Sequence, residues 1–97
     1  MSKEFKYQIG DVVASSLHLD EVRRFLSATS MQMRPSSLRV EERISIECVG
    51  GTQLYYGCRN GEGVVEKHSE DILVPVETLW DVWLEGIMQQ DKRKAQP

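Results

Sequence analysis

Hydrophobic and polar residues alternate most regularly between Leu38 and Cys48. Val40, Ile44, Ile46 and Cys48 share one parity, and Arg39, Glu41, Arg43, Ser45 and Glu47 share the other. This is the two-residue period of a half-buried strand. Glu42 interrupts the apolar parity, which predicts a bulge or an edge position there. Gly50-Gly51 marks a tight turn, and a returning strand over 53–59 carries Leu54, Tyr56 and Cys58 on one parity. Pairing Cys48 with Leu54, Ile46 with Tyr56 and Ile44 with Cys58 puts all six side chains on one face. A slip of one residue would turn them against the polar side. In this register both cysteines point inward, roughly 13 Å apart at ~3.4 Å per residue. A disulfide spans no more than ~7 Å, so both thiols are expected to be reduced and shielded in the core.

Shorter patterns flank the hairpin. Gly10-Asp11 followed by Val12 and Val13 predicts a strand over 9–15. Asp20 is an N-cap candidate ahead of Val22, Phe25 and Leu26 at helical spacing, giving a helix over 21–28. The following stretch, with Pro35 and several small polar residues, is a loop. Asn60-Gly61-Glu62-Gly63 makes a turn before a short strand over 64–67. Ser69, Glu70 and Asp71 form one helical turn, and a last strand over 72–74 ends at Pro75. The period then changes. Leu79, Trp80, Trp83, Leu84, Ile87 and Met88 recur at helical spacing, with Thr78 and Asp81 at the start and Lys92, Arg93 and Lys94 at the end. The expected organisation is a strand-rich body over 1–76 and a helix over 77–91 packed on that body or on a second subunit. A basic disordered tail over 92–97 closes the chain.

Several of these residues also form a family pattern. An opening F-x-x-x-I-G-D-V-V (Phe5, Ile9 to Val13) is followed by a hairpin ending Y-x-C-R (Tyr56, Cys58, Arg59). The close is S-E-D-I-L-V-P, from Ser69 to Pro75. Together they resemble small bacterial SH3-like β-barrel proteins over roughly residues 5–75. The resemblance implies a mainly β fold: a five-stranded SH3-like barrel with a short helix in its first long loop and a C-terminal amphipathic helix. Such barrels bind peptides, nucleic acids or modified side chains, so function has to be argued from the residues presented. The aromatic and acidic cluster with which eukaryotic SH3 domains grip proline-rich peptides is missing from residues 17–37.

Composition narrows the function classes. With 97 residues, 40% hydrophobic and 28% charged, the chain suits one modest core rather than a disordered segment. No run approaches the ~18 apolar residues of a membrane span. The polar opening MSKEFKYQIGD lacks the apolar stretch of a signal peptide, so a cytoplasmic location is expected. Net charge is −3, unevenly spread: residues 46–91 hold nine acids against two bases, Arg59 and Lys67. That half repels phosphate. A nucleic-acid face would have to come from Arg23, Arg24, Arg34, Arg39 and Arg43.

Candidate chemistry is sparse. His18, Cys48, Cys58 and His68 lack the paired spacing of a zinc site, and no metal or cofactor is expected. No phosphate loop, nucleophile elbow or paired-acid motif is present, which argues against an enzyme. Tyr55 lies on the outward parity beside Arg43 and Arg59, a combination favoured at partner-binding surfaces. The stripe of Trp80, Trp83 and Ile87 is larger than a small barrel needs, so part of it is expected to meet a second subunit in a homodimer. The expectation is a small cytoplasmic protein-interaction module without catalytic activity. The alternative is a nucleic-acid-associated barrel using the arginine-bearing face.

Overall fold

In the computed structural model, which describes residues 4–95, the valine run after Gly10 forms β1 (Val12–Ser15) and the long alternating segment forms β2 (Leu38–Cys48). β3 (Gly51–Arg59), β4 (Val65–Ser69) and β5 (Leu73–Pro75) follow, with one 3-10 turn at Glu70–Ile72. All five strands join one antiparallel sheet in the order β4-β3-β2-β1-β5. Two helices, α1 (Ser16–Ala28) and α2 (Val76–Ala95), complete the fold. Neither is long and apolar enough to cross a membrane.

The sheet is open, which overturns the five-stranded SH3-like barrel. β4 and β5 stand at opposite edges, and no ladder joins them among the described residues. The sheet does curl: Leu73 of β5 shares a buried cluster with Tyr56 and Cys58 of β3. Closure stops there because β5 is three residues long and ends in Pro75, which has no N–H to donate. Helices of 13 and 20 residues also make the chain mixed rather than mainly β.

Two cores lie on opposite faces of β1 and β5. Val13 and Leu73 face an inner cluster with Tyr7, Leu38, Val40, Tyr56 and Cys58. Their neighbours Ala14 and Val74 face an outer cluster built from the helices. α1 begins earlier than Asp20 suggested, because Ser15 is the N-cap and its Oγ accepts from the Leu17 N–H at 3.2 Å. Leu19, Val22 and Leu26 then form the buried face. Asp20 sits inside the helix and pairs with Arg23 at 3.2 Å.

α2 packs Leu79, Val82, Trp83 and Ile87 into the outer cluster, so the buried stripe is rotated from the expected one. Trp80, Leu84 and Met88 stay exposed. The helices cross at Gly86, where a Cβ would overlap Leu26 Cδ1 and come within 3.0 Å of Leu26 Cβ. Further along, Gln90 is buried, and its Nε2 donates to the carbonyls of Leu26, Thr29 and Met31 at 2.9–3.2 Å. Arg93 donates to the carbonyls of Leu26 and Ser27, both at 2.6 Å. α2 thereby satisfies the C-terminal carbonyls of α1, and the Arg93 cation complements that end of its dipole.

The β2–β3 register differs from the expected one. The turn is two residues, Val49-Gly50, so Cys48 faces Gly51, Ile46 faces Gln53 and Ile44 faces Tyr55. The bulge foreseen at Glu42 is present between Val40 and Glu42, and beyond it Val40 faces Cys58. One extra residue on β2 reverses the facing of everything after it. Leu38 and Val40 point into the inner core, whereas Ile44, Ile46 and Cys48 point to the outer face. Cys58 is buried as expected, and Cys48 is exposed, contrary to expectation; both are free thiols.

Candidate functional site

The molecule measures 59 × 27 × 17 Å, with a radius of gyration of 16.3 Å. A compact chain of this length would have roughly 12.5 Å. The β2–β3 hairpin contributes to that excess as a projecting arm. β1 pairs with β2 only at Leu38 and Arg39, and its approach ends with the Val40 N–H donating to the Asp11 carbonyl at 2.9 Å. From Glu42 to Cys48, β2 has β3 on one side and, among the described residues, no strand on the other.

The arm has two different faces. On the outer face, Ile44, Ile46 and Tyr55 are half-buried neighbours. The Tyr55 hydroxyl donates to Gln53 Oε1 at 2.6 Å, and Lys67 Nζ stands 4.9 Å from the centre of its ring. The Glu42 side chain fills the space over Gly57 on the same face. On the inner face, Arg43 lies 5.0 Å over the Phe5 ring and donates to Gln8 Oε1 at 3.3 Å. Ser45 and Glu47 follow on that face, both exposed.

The three residues singled out from sequence therefore do not form one patch. Tyr55 and Arg43 are on opposite faces because the bulge shifts the register, so that Arg43 pairs with Tyr56 and Tyr55 with Ile44. Arg59 shares the Tyr55 face but lies at the body end of β3. There its Nε donates to Glu41 Oε1 and its Nη1 to the Gly63 carbonyl, each at 2.7 Å. The residues that do join Tyr55 are Ile44 and Ile46, which sequence alternation assigned to the core. Glu42 was the available signal, since a bulge at that point reverses the parity after it. Of the expected dimer residues, Trp83 and Ile87 pack within the chain. Trp80 stacks edge-on against Trp83 with ring centres 6.3 Å apart.

The inner core holds the groups with shifted acidity. The Tyr56 hydroxyl donates to Glu70 Oε2 at 2.5 Å and accepts from the Tyr7 N–H at 3.1 Å, while the Tyr7 hydroxyl donates to the Leu73 carbonyl at 3.2 Å. Burial, reinforced by Glu70, pushes Tyr56 up to about 12. Burial, reinforced by Glu66 across the ladder, pushes the Cys58 thiol up to about 11. Phe5 and Tyr7 pack edge-on against Tyr56, with ring centres 5.6 and 5.5 Å away. This network clamps residues 5–8 across the sheet.

An open groove between α1 and β4 is lined by His18, Glu21, Glu62, Glu66 and His68. His18 Nε2 accepts from the Ser36 N–H at 3.0 Å, and its Nδ1 is 3.5 Å from Glu21. His68 Nε2 lies 3.3 Å from Glu66 Oε2 without hydrogen-bond geometry. Cys48 is at the arm tip and Cys58 in the inner core, so the four metal-ligand residue types do not assemble. No group of three such side chains among the described residues could hold an ion.

Comparison of the chain with protein-family models, with curated proteins and with solved structures gives no match. The functional reading consequently rests on the geometry of the arm.

Proposed function

We propose that this chain is a non-catalytic protein-interaction module whose binding element is the β2–β3 arm. The observation that carries this reading is the open edge of β2 from Glu42 to Cys48, bordered by the outer-face row of Ile44, Ile46 and Tyr55. Folded proteins normally blunt or cover such an edge. An edge strand with apolar side chains beside it is the chemistry of recognition by strand addition, with main-chain bonds for affinity and side chains for specificity.

The alternatives have less support. Tyr56 and Cys58 are held in their neutral forms inside the inner core, the reverse of what an activated nucleophile or base needs. A nucleic-acid face would need the arginines together. Arg39 and Arg43 are on opposite faces, Arg23 pairs with Asp20, and Arg59 pairs with Glu41.

A photo-crosslinking amino acid placed at Tyr55, and for comparison at Leu84 on α2, tests this reading in cells producing the chain. Protein adducts concentrated at position 55 are expected. Nucleic-acid adducts there, or protein adducts confined to position 84, would overturn it.

A further inference from the structure

The open edge of β2 carries a self-complementary charge pattern. A two-residue hairpin turn is closed by a hydrogen-bonded pair, here Cys48 with Gly51. Counting back along the strand, Ile46, Ile44 and Glu42 turn their main-chain groups toward β3. Arg43, Ser45 and Glu47 turn theirs to the open edge. Val40 agrees on the far side of the bulge: its N–H and carbonyl bond Asp11 and Gly10 of the β1 approach at 2.9 and 2.8 Å. The bulge moves that facing from even-numbered to odd-numbered residues.

We infer that the partner of this edge is a second copy of the same chain, paired antiparallel along β2 about a two-fold axis at Ser45. This inference rests on the arm being the binding element. In that arrangement Ser45 faces Ser45, and Arg43 of each copy faces Glu47 of the other, giving two opposite-charge pairs on the inner face. Ile44 of each copy faces Ile46 of the other on the outer face, so four isoleucines become neighbours beside the two Tyr55 rings. Cross-strand pairs of both kinds stabilise antiparallel sheets. Other centres fit less well. An axis at Arg43 or at Glu47 sets like charges against each other, and an axis at Ile44 or Ile46 leaves the charges without opposite partners. An isologous contact of this kind closes after two copies, because each open edge is consumed.

The contact is also sterically economical. β1 occupies this side of β2 only as far as Val40, so a strand laid along Glu42 to Cys48 meets no other strand among the described residues. Arg43 is exposed, and Gln8 is its one hydrogen-bond partner among the described residues.

Sedimentation of the full chain from about 10 µM to about 1 mM suits a contact smaller than a standard interface. The mass should rise from monomer to dimer and no further. Arg43→Glu and Glu47→Arg should each remain monomeric over the same range. Mixed in equal amounts they should recover a one-to-one dimer, because each introduced charge then meets its opposite. Ser45→Pro removes an N–H from the axis without touching the bonds to β3, and should also be monomeric. A wild-type chain that stays monomeric throughout, or single charge variants that dimerise like wild type, would overturn the inference. Failure of the mixture to dimerise would do the same. If the monomeric chain still forms adducts from Tyr55 to another protein, self-pairing falls and the arm survives as the binding element.

Discussion

At the scale of single residues, Tyr56 has the most to lose. Its hydroxyl is the only hydrogen-bond partner of the buried Tyr7 N–H among the described residues, and it also donates to Glu70. Tyr56→Phe keeps the ring but strands the Tyr7 N–H, while Glu70 Oε2 keeps its bond from the Lys6 N–H at 3.1 Å, so it should cost about 1–3 kcal/mol in chemical denaturation. Cys58 sets a pH dependence. Its acidity is raised in the folded state from 9.0 to about 11, so the folded form holds its proton more tightly than the unfolded chain. The stabilisation is therefore complete below pH 9 and is lost as pH climbs through 11, by at most about 1.4 kcal/mol per pH unit. Melting temperature should begin to fall near pH 9 in the wild type and only near pH 10, where Tyr56 of the unfolded chain ionises, in Cys58→Ala. The loss belonging to Tyr56 would remain at higher pH.

At the scale of elements, the crossing of α1 and α2 depends on Gly86. Alanine is the better helix former by about 1 kcal/mol. Its Cβ would collide with Leu26, however, which is buried and close to its own backbone at the contact. Overpacking costs about 1–3 kcal/mol, so Gly86→Ala should be net destabilising by thermal melting. A gain in stability would mean that the crossing relaxes freely. The same elements show what sequence could reveal. The bounds of β2 were legible because alternation runs unbroken from Leu38 to Cys48 apart from Glu42, and the loop after α1 was legible from Pro35 and its small polar neighbours. The pairing of β2 was not. Several registers gather apolar side chains on one face, and the choice fell to the Val49-Gly50 turn and the bulge rather than to hydrophobicity. Gln90 escaped notice because it is polar, although it continues the face of Leu79, Val82, Trp83 and Gly86. The arm's outer face was hidden by the same bulge, which moves Ile44 and Ile46 out of the core to which alternation assigned them.

At the scale of the whole molecule, sequence patterns supplied five strands, and two interrupted edges decided that they stay an open sheet. Barrel closure would have demanded a longer last strand and a hairpin that ended where β1 ends. Instead the hairpin runs past β1 and becomes the arm. The helix begun after Pro75 folds back over the outer face of β1 and β5 rather than leaving as an appendage, so Trp83 donates its N–H to the Met33 carbonyl at 2.6 Å within the same chain.

The placing of neighbouring residues in different cores has a consequence for cooperativity. Val13 and Ala14 are joined by one peptide bond, as are Leu73 and Val74, yet each pair is divided between the two clusters. Neither cluster can come apart without disturbing the short β1–β5 ladder that anchors the other. Trp83 reports on the outer cluster and Cys58 on the inner one, so the two give separate views of one unfolding event. Tryptophan fluorescence and the denaturant dependence of Cys58 labelling, measured in Cys48→Ser to silence the exposed thiol, should yield superimposable transitions. Curves displaced from one another would show that the short ladder does not weld the two cores into one cooperative unit.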